Sequence, residues 1–503
     1  MRAPARSTAF RDRTPSADQW RRRLLVAAAA ASLLTVTTGV TTASAAGAGA
    51  LGATGGAADQ AAPASGLHAA IAKSSGGAAT SGASAGSTAA DAAGTGASKA
   101  AGASKAADAT PLTLPVTIVS DETCTVTITS LEGDATSGYT AGVEVVNHAD
   151  ARLDVTVSNA SLNGWMCDPY FSTTIAAGKT AVDKLEWDAW SLADLPEVAQ
   201  GDVDEVAFTV TARDADDWSA DPLAEESVDL FPLGKDAVVD HAYQPAPTDV
   251  VVTDDKNVSY VITGVTGDAA SGITMTGYVH NASSKPLSVS TDRESLDGLM
   301  CDASMYCVVD AGRSAVADLT WYADDLAILA QDAGLTEPTD IAFDLVLTDQ
   351  KAFDEVDRQT YEVYPQGEAA AVTRTHTPQR EDVPVISVPG CTVTAIGTMQ
   401  DDYEFGVVLY VTNETDGTIL IDVDDAAVND IMCDAYCYEE VAAGKSAYVI
   451  ATWYLDDLKE IGVTDPDTDV TAMSMTVTAS DADDWRADDI GVGEVDLTRG
   501  ASA

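Results

Sequence analysis

Three copies of one pattern occupy most of this chain, and they limit its fold more than any other feature. Trp165-Met166-Cys167-Asp168 returns as Leu299-Met300-Cys301-Asp302 and again as Ile431-Met432-Cys433-Asp434, so the motif cysteines stand 134 and then 132 residues apart. Ala177-Gly178-Lys179 returns as Ala311-Gly312-Arg313 and Ala443-Gly444-Lys445. Trp187, Trp321 and Trp453 keep the same register, as do Asn147, Asn281 and Asn413. Landmarks that hold step twice over define an internal repeat. A period of about 130 residues is too long for a solenoid unit and suits a domain with its own core.

Within each copy the pattern is that of strands. Cys124–Thr129 and Cys391–Ile396 alternate polar and apolar residues, as does Met473–Thr478, and Val-rich runs cover Gly142–Val146, Ala207–Thr211 and Gly406–Val411. Period-two alternation bounded by Gly, Asp and Asn marks half-buried strands. One stretch per copy breaks the alternation with acidic residues and Leu at helical spacing: Ser191–Ala199, Asp324–Ala333 and Asp456–Ile461. A short helix or turn is expected there. About seven short strands per copy predict an all-β chain of three tandem immunoglobulin-like β-sandwich domains, at 112–236, 250–365 and 383–499, with a small barrel as the alternative. The polar stretches between them read as short linkers that leave the domains independent.

Cys124–Thr127, Asn147, Ser161–Asp168, Gly178-Lys179 and the Asp-x-Asp-Asp-Trp run Asp214–Trp218 together resemble an immunoglobulin-like repeat module of Gram-positive exported proteins and lipoproteins. The resemblance spans all three copies and implies a fold and an extracellular location; it implies no activity. The middle copy departs most, with Asn257 in place of the opening Cys and the acidic-Trp run reduced to Asp349–Phe353.

The ends differ from the body. Residues 1–45 carry seven arginines against two aspartates, then an apolar run closing on Ala43-Ser44-Ala45. Basic, apolar and small-residue regions in that order are expected to be a signal peptide. Residues 46–111 are almost wholly Ala, Gly, Ser and Thr. Such a segment has too little apolar surface to offset the entropy of ordering, so a disordered, low-complexity tether is expected. The whole chain has 27 Lys+Arg against 79 Asp+Glu, a net charge of −52. That balance repels phosphate backbones and anionic headgroups, so neither nucleic acid nor an inserted membrane segment is expected of the mature chain. An extracellular, secreted or cell-wall-associated location follows.

Seven cysteines in an exported chain point to disulfides. Cys124 and Cys167 are the expected pair of the first copy, while Cys391 pairs with Cys433 or Cys437, and Cys301–Cys307 would need a tight hairpin. The acidic loops are the candidate metal site: Asp214, Asp216 and Asp217, matched by Asp481, Asp483 and Asp484, offer the hard oxygen ligands that Ca²⁺ takes. The competing reading is an Asp-capped turn with Trp218 or Trp485 folded back as a lid. Trp187, Trp321 and Trp453 are expected core residues. Trp165, Trp190, Tyr170 and Phe171, an aromatic excess of the first copy, are either a sugar- or peptide-binding patch or local packing. No position carries His in all three copies, and no nucleophile elbow, zinc-hydrolase or phosphate-loop motif occurs, so no enzyme is expected. The sequence reads as a non-catalytic interaction or spacer protein with an extracellular protein or glycan as partner and no cofactor. The alternatives are a calcium-stiffened stalk and an accessory subunit of an exported hydrolase or transporter.

Overall fold

In a computed structural model the described residues are 71–73, 110–254, 257–484 and 486–498. The expected signal peptide lies outside them, and so does the expected tether except for Ile71–Lys73 and residues 110–111. Ile71–Lys73 pairs antiparallel with the strand Glu355–Val363.

The described chain is predominantly β, and each copy repeats one strand plan. In the first, Val116–Ser120, Cys124–Asp134, Gly138–Asn147 and Thr180–Trp187 form a four-stranded antiparallel sheet in that order. Ala224–Leu230, Val206–Asp214 and Leu153–Leu162 form the second sheet. The free edge of Leu153–Leu162 takes two short strands, Ser172–Ile175 at one end and Trp165–Met166 at the other. Gly138–Asn147 shows how the sequence produces this: every second side chain is buried along its length, which is what a strand with one face on a core requires. The other copies match, with Gly272–Asn281 and Glu404–Asn413 in the same place.

Three separate hydrophobic cores lie between such sheets, one per copy. Each draws residues from both sheets of its copy, a sandwich-like arrangement. The helical breaks occur close to their expected places, as Ala189–Ala193 followed by the 3₁₀ turn Glu197–Ala199, as Ala323–Asp332 and as Leu455–Glu460. Asp188 caps the first of these, accepting from the Ser191 N–H at 2.8 Å.

The copies are not independent beads. Trp165 pairs in parallel with Ser314, so the second sheet of the first copy continues into the first sheet of the second. Leu299 and Met300 likewise pair with Ser446 and Ala447, carrying the second copy's sheet into the third. A hairpin turn with left-handed backbone makes each short strand possible: Asn163-Gly164 has φ of 51° and 77°, and Asp297-Gly298 has 51° and 83°. This is the turn chemistry that Asn-Gly and Asp-Gly supply.

Candidate interaction surfaces

The repeated residues build two recurring clamps. The buried Asn147 amide donates to the carbonyls of Ala151 and Ile175 at 2.9 and 3.0 Å and accepts from the Ala149 N–H at 2.8 Å. Asn281 and Asn413 repeat all three bonds. The second clamp joins the tryptophan to the cysteine motif. The Trp187 indole N–H donates to the Cys167 carbonyl at 2.8 Å, Trp321 to Cys301 at 3.0 Å and Trp453 to Cys433 at 2.8 Å. All three tryptophans are fully buried. Buried polar groups need partners of this kind, so the main chain of the cysteine, not its sulfur, holds the motif to the core.

The expected disulfides are not formed, and all seven cysteines are free thiols. Register explains why. Cys124 sits opposite Asn147, at one end of its sheet, while Cys167 lies against Trp187, which pairs with Tyr139 at the other end. Eight residues of strand separate those ends, roughly 27 Å at the rise of an antiparallel strand, against the Cα separation of under about 7 Å that a disulfide allows. Cys391 and Cys433 stand in the same relation, at Asn413 and Trp453. Cys437 lies beside Ile421, whereas the Asn413 clamp holds Val441 four residues further on. Cys301 lies at Glu294 and Cys307 opposite Val289, five residues apart along one strand. Burial raises every thiol's pKa, Cys124 to about 11 and Cys167, Cys301 and Cys307 to about 12. The protonated thiol is a poor nucleophile and metal ligand.

The acidic loops turn on themselves. Asp214 accepts from the Asp216 N–H at 2.9 Å, and Asp217 from the N–H and hydroxyl of Ser219 at 3.1 and 2.7 Å. Asp481 accepts from the N–H groups of Asp483 and Asp484 at 2.9 and 3.2 Å. These are Asx turns, and among the described residues no three carboxylate, imidazole or thiol groups converge as a metal site. Trp218 points into solvent and is no lid; Trp485 lies outside the described residues.

The first copy's extra aromatics divide: Trp165 and Phe171 are buried, whereas Tyr170 and Trp190 are exposed. A denser aromatic surface, which the sequence reading overlooked, lies on the third copy. Tyr403 and Tyr454 line an open groove with Asp402, Asp456, Asp457 and Lys459. Tyr436 packs on Tyr454 with ring centroids 5.1 Å apart, and Tyr403, Tyr436 and Tyr438 are exposed. The signal was dispersed, since the tyrosines stand at 403, 436, 438 and 454, and only the fold brings Tyr436 onto Tyr454 and Tyr403 to the same groove.

No family model matches the chain, and no curated protein matches it.

The joints themselves are densely built. At the first, Arg313 pairs with Glu205 at 2.6 Å and Asp229 at 3.1 Å, and the Ser314 N–H donates to the Gly164 carbonyl at 2.9 Å. The Trp165 ring meets Tyr278 edge-on at 5.3 Å, and its indole N–H donates to the His241 carbonyl at 2.9 Å. Met166 packs on the next copy's core. At the second joint, Ser446 donates to Gly298, and Met300 packs on the third core. Tyr410 and Tyr448 occupy the places of Tyr278 and Val316. The linkers lie along these joints. His241 bonds to Asp204 and to the Val198 carbonyl, Arg374 pairs with buried Asp297 at 2.7 Å, and His376 lies between Asp332 and Asp382 at 2.6 and 2.9 Å.

Proposed function

We propose that this chain is a non-catalytic exported protein whose three immunoglobulin-like repeats act as a stiffened spacer that presents binding surfaces outside the cell. The observation carrying this reading is the joint, where sheet pairing and a packed linker, joined at the first joint by a half-buried ion pair, fix each copy against the next. Enzymes concentrate reactive groups in a cleft; here the thiols are buried or half-buried with their pKa values raised by desolvation, and His241 and His376 serve the linkers. Joints this elaborate serve spacing and presentation. An extracellular protein or glycan is the partner class that fits the groove of Tyr403 and Tyr454. Tyrosine rings offer flat apolar faces at small entropic cost, and the surrounding carboxylates accept bonds from hydroxyl or ammonium groups.

Glycan and peptide arrays probed with the full chain test this. Binding that falls at least about tenfold, the loss of one hot-spot contact, in the groove variant Tyr403→Ala/Tyr454→Ala supports the reading. Silence of the unaltered chain across both arrays removes the interaction half and leaves a spacer.

A further inference from the structure

The joint is used twice inside the chain, and each end of the repeat array carries half of a third. The donor half is the short strand after the cysteine-motif hairpin. In the first and second copies it is Trp165-Met166 and Leu299-Met300: Trp165 and Leu299 are buried in the core of their own copy, while the half-buried Met166 and Met300 pack on the core of the following one. In the third copy it is Ile431-Met432, with side chains of the same kind, yet these are 46% and 61% exposed. Among the described residues nothing follows to cover them.

The acceptor half lies on the first copy. At the second joint it is the turn Ala442-Ala443-Gly444-Lys445 with the strand that begins at Ser446; the Ala442 N–H lies 3.0 Å from the Met300 sulfur. The first copy carries the identical turn, Ala176-Ala177-Gly178-Lys179, before Thr180. Thr180 is exposed and would supply the N–H that Ser314 and Ser446 give to the hairpin carbonyl. Val182 stands in register with Val316 and Tyr448, which seal the two joints, and is itself 76% exposed. An exposed apolar donor at one end and an exposed apolar acceptor at the other are complementary, not alike.

We propose that copies of this chain associate head to tail, with Ile431-Met432 of one pairing in parallel with Thr180-Ala181 of the next. Such a contact is heterologous: each molecule keeps a free donor and a free acceptor, so it grows chains unless the geometry closes. Two features make it weak. Glu144 occupies the place of Tyr278 and Tyr410, and Ala472 that of the carboxylates Glu205 and Asp340. The large net negative charge also opposes close approach, and salt screens that repulsion. Association therefore strengthens with ionic strength, the reverse of a charge-driven complex.

Sedimentation velocity on the full chain, from about 10 μM to about 1 mM at low and high salt, tests the proposal. The expected result is concentration-dependent growth that is greater in high salt. Met432→Asp and Val182→Asp, both on exposed side chains that should leave folding intact, each abolish it. Mixing the two variants restores one joint only, since one retains its acceptor and the other its donor, so the mixture gives dimers and nothing larger. Glu144→Tyr tightens association by up to about tenfold, the worth of one aromatic contact. A chain that stays monomeric throughout overturns the proposal, as do single variants that associate like the unaltered chain, or growth beyond dimers in the mixture.

Discussion

Glu294 shows how one residue can oppose the fold that holds it. It replaces the small Ala160 and Ala426 of the other copies at the position whose carbonyl receives the motif cysteine N–H. Its side chain is buried, and that burial, with lesser contributions from Asp302 and Asp292, raises its pKa to about 7. The sign follows from proton binding. An acid whose folded pKa exceeds its unfolded one binds more protons when folded, so its favourable contribution is complete below about pH 4.5 and is lost as pH rises through 7. Glu294→Gln should thus leave stability nearly unchanged at pH 4.5 and raise it at pH 8 by up to about 3 kcal/mol. Urea denaturation of both proteins at the two pH values measures this, and an equal effect at both would show that the carboxylate is not desolvated. The Asn147, Asn281 and Asn413 clamps are the opposite case. Each buried amide satisfies its partners, which explains why the residue recurs without variation.

At the scale of elements, the linkers behave as parts of the joints. Burial lowers the pKa of His376, but hydrogen bonds to Asp382 and Asp332 more than offset this and leave it raised. His241 is raised chiefly by its bond to Asp204. A histidine with a raised folded pKa contributes fully below its unfolded value of about 6.5, and that contribution fades as pH climbs through the folded one. Amide protection at Val239 and Arg374 should therefore fall between pH 6 and pH 9 once intrinsic exchange is corrected for. It should stay flat over that range in His241→Gln/His376→Gln. Protection that falls equally in the variant would detach the effect from the imidazoles. The linkers also mark the limit of the sequence reading. Alternation and turn residues made the strands legible, because one face of each meets a core: Gly138–Asn147 carries that signal in every second residue. The cysteine motif was legible as a repeat, yet its chemistry pointed to sulfur. Its work is done by a main-chain carbonyl and by a two-residue strand whose partner lies 149 residues away, Trp165 with Ser314. No local pattern reports such a pairing, and nothing in a Pro- and charge-rich linker foretells that His376 will lie between two carboxylates.

For the whole molecule, the question is whether three cores unfold as three or as one. Each core is large enough to melt alone, and beads on flexible linkers would do so. In repeat arrays stability is instead the sum of a term for each unit and a term for each interface, and these interfaces are substantial. The first contains a ring contact, a main-chain bridge and an Arg313 side chain only 16% exposed between Glu205 and Asp229. Removing one partner from a pair that is largely desolvated costs more than a surface pair is worth, because it leaves the other charges without a counterpart. Tyr278→Ala/Arg313→Ala should therefore cost the first joint about 3–5 kcal/mol while leaving the cores on either side intact. Scanning calorimetry of the unaltered chain should show copies one and two melting in a shared transition. In the double variant that transition should split, with the first copy melting separately and at lower temperature. Resolved transitions for those copies already in the unaltered chain would show that the joint orients its neighbours without coupling their stability, and the stiffness attributed to the array would then have to come from its linkers.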